Sequence, residues 1–167
     1  MTSDAVRSFT LMGATLTMGL VAGTFALYAH TIMPGLRSTD DRTFVGAFQA
    51  LDRAIINPWF MAGAFVGSLV LTLAALVTNL HTPALPWIIA ALALYLLAVV
   101  ATIAVNVPLN DAIKAAGDPD HIQNLAEVRQ QFHEARWATW NIARTITSTV
   151  AFGCLAWSLV LHGRATG

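Results

Sequence analysis

The sequence predicts an all-α membrane protein: a four-span helical bundle with an amphipathic helix between the first two spans and a long final helix. Two observations carry this. Of 167 residues, 56% are hydrophobic and 11% charged, whereas soluble domains carry about a quarter charged residues. The apolar residues also gather into four runs, each near the roughly 20 residues a helix needs to cross a bilayer. A net charge of zero gives no electrostatic footprint for nucleic acid. The single cysteine, Cys154, lies in an apolar run, cannot close an intrachain disulfide, and reads as a small apolar filler.

In chain order, the first run covers about 9–32. It is long for a signal-peptide core and lacks a small-x-small cleavage site, so a retained span is expected. Gly19 and Gly23, four apart, allow a neighbouring helix to approach closely. Met33-Pro34-Gly35 reads as a stop signal. From 40 to 56, Phe44, Phe48, Leu51 and Ile55 form an apolar stripe, and Gln49, Asp52 and Arg53 are expected on the opposite, polar side. Asn57-Pro58 supplies an N-cap followed by proline in the first turn. The second span then covers about 59–80, with Trp59 as an interfacial anchor.

The short 81–86 connection makes an antiparallel hairpin with the third span, about 87–105. Pro108 is expected to end or kink that helix, with Asn106 and Asn110 either capping the freed carbonyl groups or serving the site. Residues 112–120 read as a loop. From about His121 a charged helical pattern continues unbroken into the fourth span, about 140–161, so the last helix should outreach the bilayer. The chain thus reads as one integral-membrane domain over 1–167.

Alternating spans gather the polar residues at one end of the bundle. His30, the Gln49–Asn57 stretch, the Asn106–Asp111 segment and the Glu134–Arg144 face all belong to that end. Arg37, Arg42, Arg53, Lys114, Arg129 and Arg136 are there too, against Arg7 and Arg164 at the other. The positive-inside rule therefore predicts a cytoplasmic polar mouth, and the expected membrane is a bacterial inner one.

On the fourth helix Trp137, Asn141 and Arg144 recur at steps of three and four, on one face. An arginine so near the hydrocarbon needs a partner or a polar cavity; the alternative is that it snorkels to the interface. Trp137 and Trp140 read either as belt residues or as the walls of a pocket for a flat aromatic ligand, with Arg144 and Asn141 binding an oxygen anion. His30 or His133 is the candidate general base. With Glu134 and Asp52 these histidines could also bind a metal, although no ligand spacing supports one.

Several segments carry a family resemblance: Met33-Pro34-Gly35-Leu36, Phe48-Gln49, Asn57-Pro58 with Phe60, Asn106-Val107-Pro108-Leu109-Asn110, and Trp137 with Trp140-Asn141 and Arg144-Thr145. In this order and spacing they resemble the anthrone-oxygenase-like family of small four-span membrane proteins. The resemblance implies oxidation of a hydrophobic phenolic or anthrone-like substrate, with O2 as co-substrate and no classical cofactor. The expected catalytic set is His30, His133, Asn110, Asn141 and Arg144, with Gln49, Asn106, Trp137 and Trp140 binding substrate. Membrane lipid and a small aromatic molecule are the expected partners, and a homo-oligomer is compatible with the sequence. Two other readings stay open: a non-enzymatic bundle binding a lipid, quinone or partner protein, and a metal-dependent membrane oxidase.

Overall fold

The computed structural model describes residues 2–166, and these are helical with short connections. Helix α1 (Thr2–Leu27) passes through a π turn (Tyr28–Ile32) into α2 (Met33–Arg37). The amphipathic α3 (Asp41–Ile55) follows, and then a π segment (Trp59–Val66) leads into α4 (Gly67–Thr78). Helix α5 (Leu85–Ala101) continues through a third π turn (Thr102–Asn106) into α6 (Val107–Ala115). Short α7 (Leu125–Gln131) precedes α8 (Glu134–Thr166).

Four helical stretches are long and apolar enough to cross a membrane: Asp4–Arg37, Trp59–Thr78, Leu85–Ala115 and Leu125–Ala165, the last containing a turn at 132–133. In the bundle α1 packs on α4 and α8, and α5 packs on α4 and α8, leaving α1 diagonal to α5. The axial core holds Leu11, Met18, Val21, Ile88, Tyr95 and Leu155. Leu, Val and Trp side chains on the outward faces, such as Leu16, Val70, Leu97 and Ile146, are exposed, as lipid-facing positions should be. Gly19 has the Phe152 ring 3.1 Å from where a Cβ would stand, so α1 and α8 meet as closely as that glycine allows.

A second core closes the polar end, where Phe44, Phe48, Phe132 and Trp137 pack under α3 and α7. Arg129 clamps this cap. Its Nη1 donates to the Thr39 carbonyl (2.9 Å) and the Asp41 carboxylate (3.0 Å), and its guanidinium lies 4.3 Å over the Phe44 ring. The Asp40 side chain accepts from the Thr43 N–H and starts α3. That local hydrogen bonding holds its carboxyl below the usual range.

Five expectations are corrected. Pro34 does not stop the first span, and of the end or kink expected at Pro108 the third span shows no end. Proline removes a donor and crowds the carbonyl four residues back, and here the preceding turn widens to absorb it. Met33 N–H bonds to the Tyr28 carbonyl and Val107 N–H to the Thr102 carbonyl, five residues back in each case, and the helix resumes. The expected loop at 112–120 is therefore still helical as far as Ala115. Gln49 and Asp52 are 1% and 6% exposed, on the covered face of α3 instead of its wet face. Phe48, four residues before Asp52, shares that covered face because the cap lies over it. Finally, the expected continuous last helix is broken at His133, whose φ of 50° is left-handed and separates α7 from α8.

Candidate functional site at the polar end of the bundle

A cavity of about 300 Å3 opens among the four polar ends, at the lower limit of the roughly 300–1,000 Å3 typical of small-molecule sites. Phe25, Tyr28, Phe48, Phe60, Phe65 and Trp137 give it aromatic walls, and Asp52, Thr102, Asn110, Lys114, Asn141 and Arg144 give it polar groups. At its rim Ile56, Met61 and Val107 are 57%, 36% and 40% exposed, so the edge between the start of the second span and the third is apolar.

All three π segments border this space, contributing Tyr28, then Phe60, Met61 and Phe65, then Thr102. A widened turn inserts one residue into the helical phase, which re-aims the side chains that follow it. Tyr28, three residues after Phe25, lies on the inward face of the first span, and His30 does not.

Two polar clusters meet at Trp137. In the first, the Trp137 indole N–H donates to Asn110 Oδ1 at 2.6 Å, and Asn110 Nδ2 donates to Asp52 Oδ1 at 2.6 Å. Lys114 Nζ forms ion pairs with Asp52 Oδ2 (2.8 Å) and with Asp111 Oδ1 (3.1 Å). One amide therefore uses its acceptor on α8 and its donor on α3, tying three elements together. In the second cluster, Arg144 Nη2 donates to Asn141 Oδ1 (2.8 Å) and Nη1 to Thr102 Oγ1 (3.1 Å). Asn141 Nδ2 in turn donates to the Phe25 carbonyl at 3.0 Å. The guanidinium lies 4.3 Å from the Phe25 ring centre and 5.6 Å from that of Trp137. Arg144 is 5% exposed, which rules out snorkelling. Among the described residues its Nε–H has no partner and no carboxylate forms an ion pair with it.

Of the residues singled out from sequence, Asn110, Trp137, Asn141 and Arg144 line this one cavity. Asn106 is buried beside it, donating to the Trp137 carbonyl at 3.2 Å, across helices instead of capping its own. Gln49 is elsewhere: its Nε2 donates to the carbonyls of Ile113 (2.7 Å) and Gly117 (3.0 Å), closing the end of α6. His30 is exposed, with Nδ1 2.6 Å from the Thr31 hydroxyl. His133 is exposed at the α7–α8 break, and neither histidine borders the cavity. Trp140 lies roughly 60° around the helix from Trp137; it is 42% exposed and also outside the lining. Among the described residues no three His, Cys, Asp or Glu side chains are grouped to hold a metal.

Sequence reasoning named Asp52 only as a possible metal ligand, and missed Tyr28, Thr102 and Lys114 as cavity groups. The available signal was the four-residue step from Phe48 to Asp52, which sets the carboxylate under the apolar stripe.

No curated protein and no solved structure matches the chain. The anthrone oxygenase family model matches residues 54–154, well over half the chain. The matched stretch contains Phe60, Asn110, Lys114, Trp137, Asn141 and Arg144 from the cavity, whereas Tyr28 and Asp52 precede it. With four spans, this site and that match together, the chain belongs to the anthrone oxygenase family.

Proposed function

We propose that the protein is an integral-membrane oxygenase that oxidises a hydrophobic phenolic or anthrone-like substrate with dioxygen inside this cavity. The observation that carries the reading is one cavity with aromatic walls whose lining holds both a buried carboxylate and a buried guanidinium. Family membership supports the oxygenase class, and the apolar rim at Ile56, Met61 and Val107 supports entry from the bilayer.

Asp52 is the proton acceptor in this reading, in place of His30 or His133. It takes a proton from the methylene carbon that lies between the aryl rings and is conjugated with the carbonyl. The electron pair left behind spreads onto the carbonyl oxygen, and Arg144 stabilises that enolate charge, as a preorganised donor does for developing charge. Asn141 and Thr102 fix the guanidinium, while Asn110 and Lys114 fix the carboxylate. The enolate reduces dioxygen by one electron, and the resulting radical and superoxide combine to form a C–O bond. The peroxide takes back the proton held by Asp52 and loses water, whose other hydrogen is the second methylene hydrogen, leaving a carbonyl. Anthrone and dioxygen thus give anthraquinone and water, and the methylene carbon supplies every electron that dioxygen takes up.

The test is oxygen uptake by purified protein with an anthrone, set against the spontaneous rate. Asp52→Asn should lower the enzymatic rate by at least about a hundredfold, the lower end for loss of a general base. A rate no higher than the spontaneous one for the unaltered protein overturns the assignment. The polar end is assigned to the cytoplasmic face of a bacterial inner membrane. A cysteine introduced at exposed Ala115, in a Cys154→Ala background, should resist impermeant reagents added to intact cells; labelling from outside would reverse the orientation.

A further inference from the structure

We propose that the ligand this cavity selects is already an anion when it binds: a flat aromatic molecule carrying an ionised carboxylate or phenolate. The inference rests on the oxygenase reading for where the ligand sits, but concerns its charge at rest, before any reaction.

The argument begins with Arg144. A guanidinium held out of water is costly unless a counter-charge faces it. Its hydrogen-bond partners, Asn141 and Thr102, are neutral, and its ring neighbours, Phe25 and Trp137, supply only their π faces. The Nε–H lacks any acceptor. The cavity's carboxylates do not fill this role, because both are engaged by Lys114. Asp52 lies 2.8 Å from the ammonium, and Asp111, at 63% side-chain exposure, is screened by water. Were the substrate neutral, Arg144 would stand uncompensated throughout the resting cycle; an anionic ligand supplies the missing charge. The aromatic walls Phe25, Phe60, Phe65 and Trp137 set the other half of the specificity, since they favour a planar ring over a flexible chain.

Binding can be measured without turnover, using anthracene-9-carboxylate, anthracene-9-carboxamide and laurate as probes. Each is titrated calorimetrically into protein in detergent, and its partition into empty micelles is subtracted. The carboxylate should bind at least about tenfold more tightly than the carboxamide, as a charge-assisted hydrogen bond provides, and laurate should bind more weakly than the aromatic acid. Arg144→Gln should abolish the preference and Arg144→Lys should retain part of it. Because the acid–amide comparison is made on the unaltered protein, it stands even if the Gln variant does not fold. Equal binding of acid and amide overturns the charge assignment, and laurate equal to the aromatic acid overturns the ring assignment. An acid preference without turnover of any anthrone counts against the oxygenase reading alone. Turnover without an acid preference counts against this inference alone.

Discussion

Asn110 offers the sharpest single perturbation. Its side chain accepts from the Trp137 indole and donates to Asp52, both at 2.6 Å. Replacement by leucine, of similar volume, removes both bonds at once. The neutral bond to Trp137 should contribute about 0.6–1.7 kcal/mol, the range of interhelical bonds in membrane bundles. The bond to the ionised Asp52 is worth about 1.5–3 kcal/mol. Both partners are left behind in the cavity wall, so the combined destabilisation is about 2–5 kcal/mol. The assay is equilibrium unfolding in mixed micelles, followed by the loss of helical circular dichroism. A double-mutant cycle with Asp52→Leu isolates the carboxylate bond, and a coupling of about 1–3 kcal/mol is expected for groups in one network. A loss below about 0.5 kcal/mol, the range of an incidental surface change, or a coupling of zero, would refute the network as described.

Three further outcomes follow from the same geometry. His30→Ala and His133→Ala should each leave anthrone-dependent oxygen uptake within about twofold of the parent, because no group in the cavity is lost; a fall near the hundredfold range of a missing general base would restore the histidines as bases. Gly117 has a φ of +87° with open space where a Cβ would sit, so Gly117→Ala should cost about 1–2 kcal/mol from backbone conformation alone, read from the same unfolding curves. Asp40 has its carboxyl depressed by the Thr43 backbone and side-chain hydrogen bonds. Its contribution is therefore present above the unfolded pKa and lost as pH falls through the lower folded value. Asp40→Asn should flatten the acid limb of the stability profile relative to the parent, and an unchanged limb would show that the cap carries none of it.

Much of the architecture was legible because it follows from length and connectivity. Four apolar runs joined by short links must alternate, and alternation alone collects Asn110, Trp137, Asn141 and Arg144 at one end, where the structure joins them around one cavity. Two things were hidden. Helical periodicity assumes an uninterrupted turn, so it cannot foresee the widened turns before Pro34 and Pro108, and side-chain chemistry singles out His30 where the fold presents Tyr28. Amphipathicity assumes that polar residues seek water. The packing of α3 on α6, where Gln49 bonds the Ile113 and Gly117 carbonyls and Asp52 meets Asn110 and Lys114, reverses that assumption, and only the tertiary arrangement discloses it.

The π turn at Thr102–Asn106 makes the third span two helices out of phase with each other. The half from Leu85 obeys the lipid and the bundle core, and the half from Val107 obeys the cap. Deleting one residue from that turn would regularise the hydrogen bonding and, by the same act, swing everything beyond it by roughly 100°. Asn110 and Lys114 would then leave Asp52 while the span remained as apolar as before. The register of this short stretch is thus as decisive for the chamber as the identity of any side chain in it, and an insertion or deletion there should be far more damaging than most substitutions.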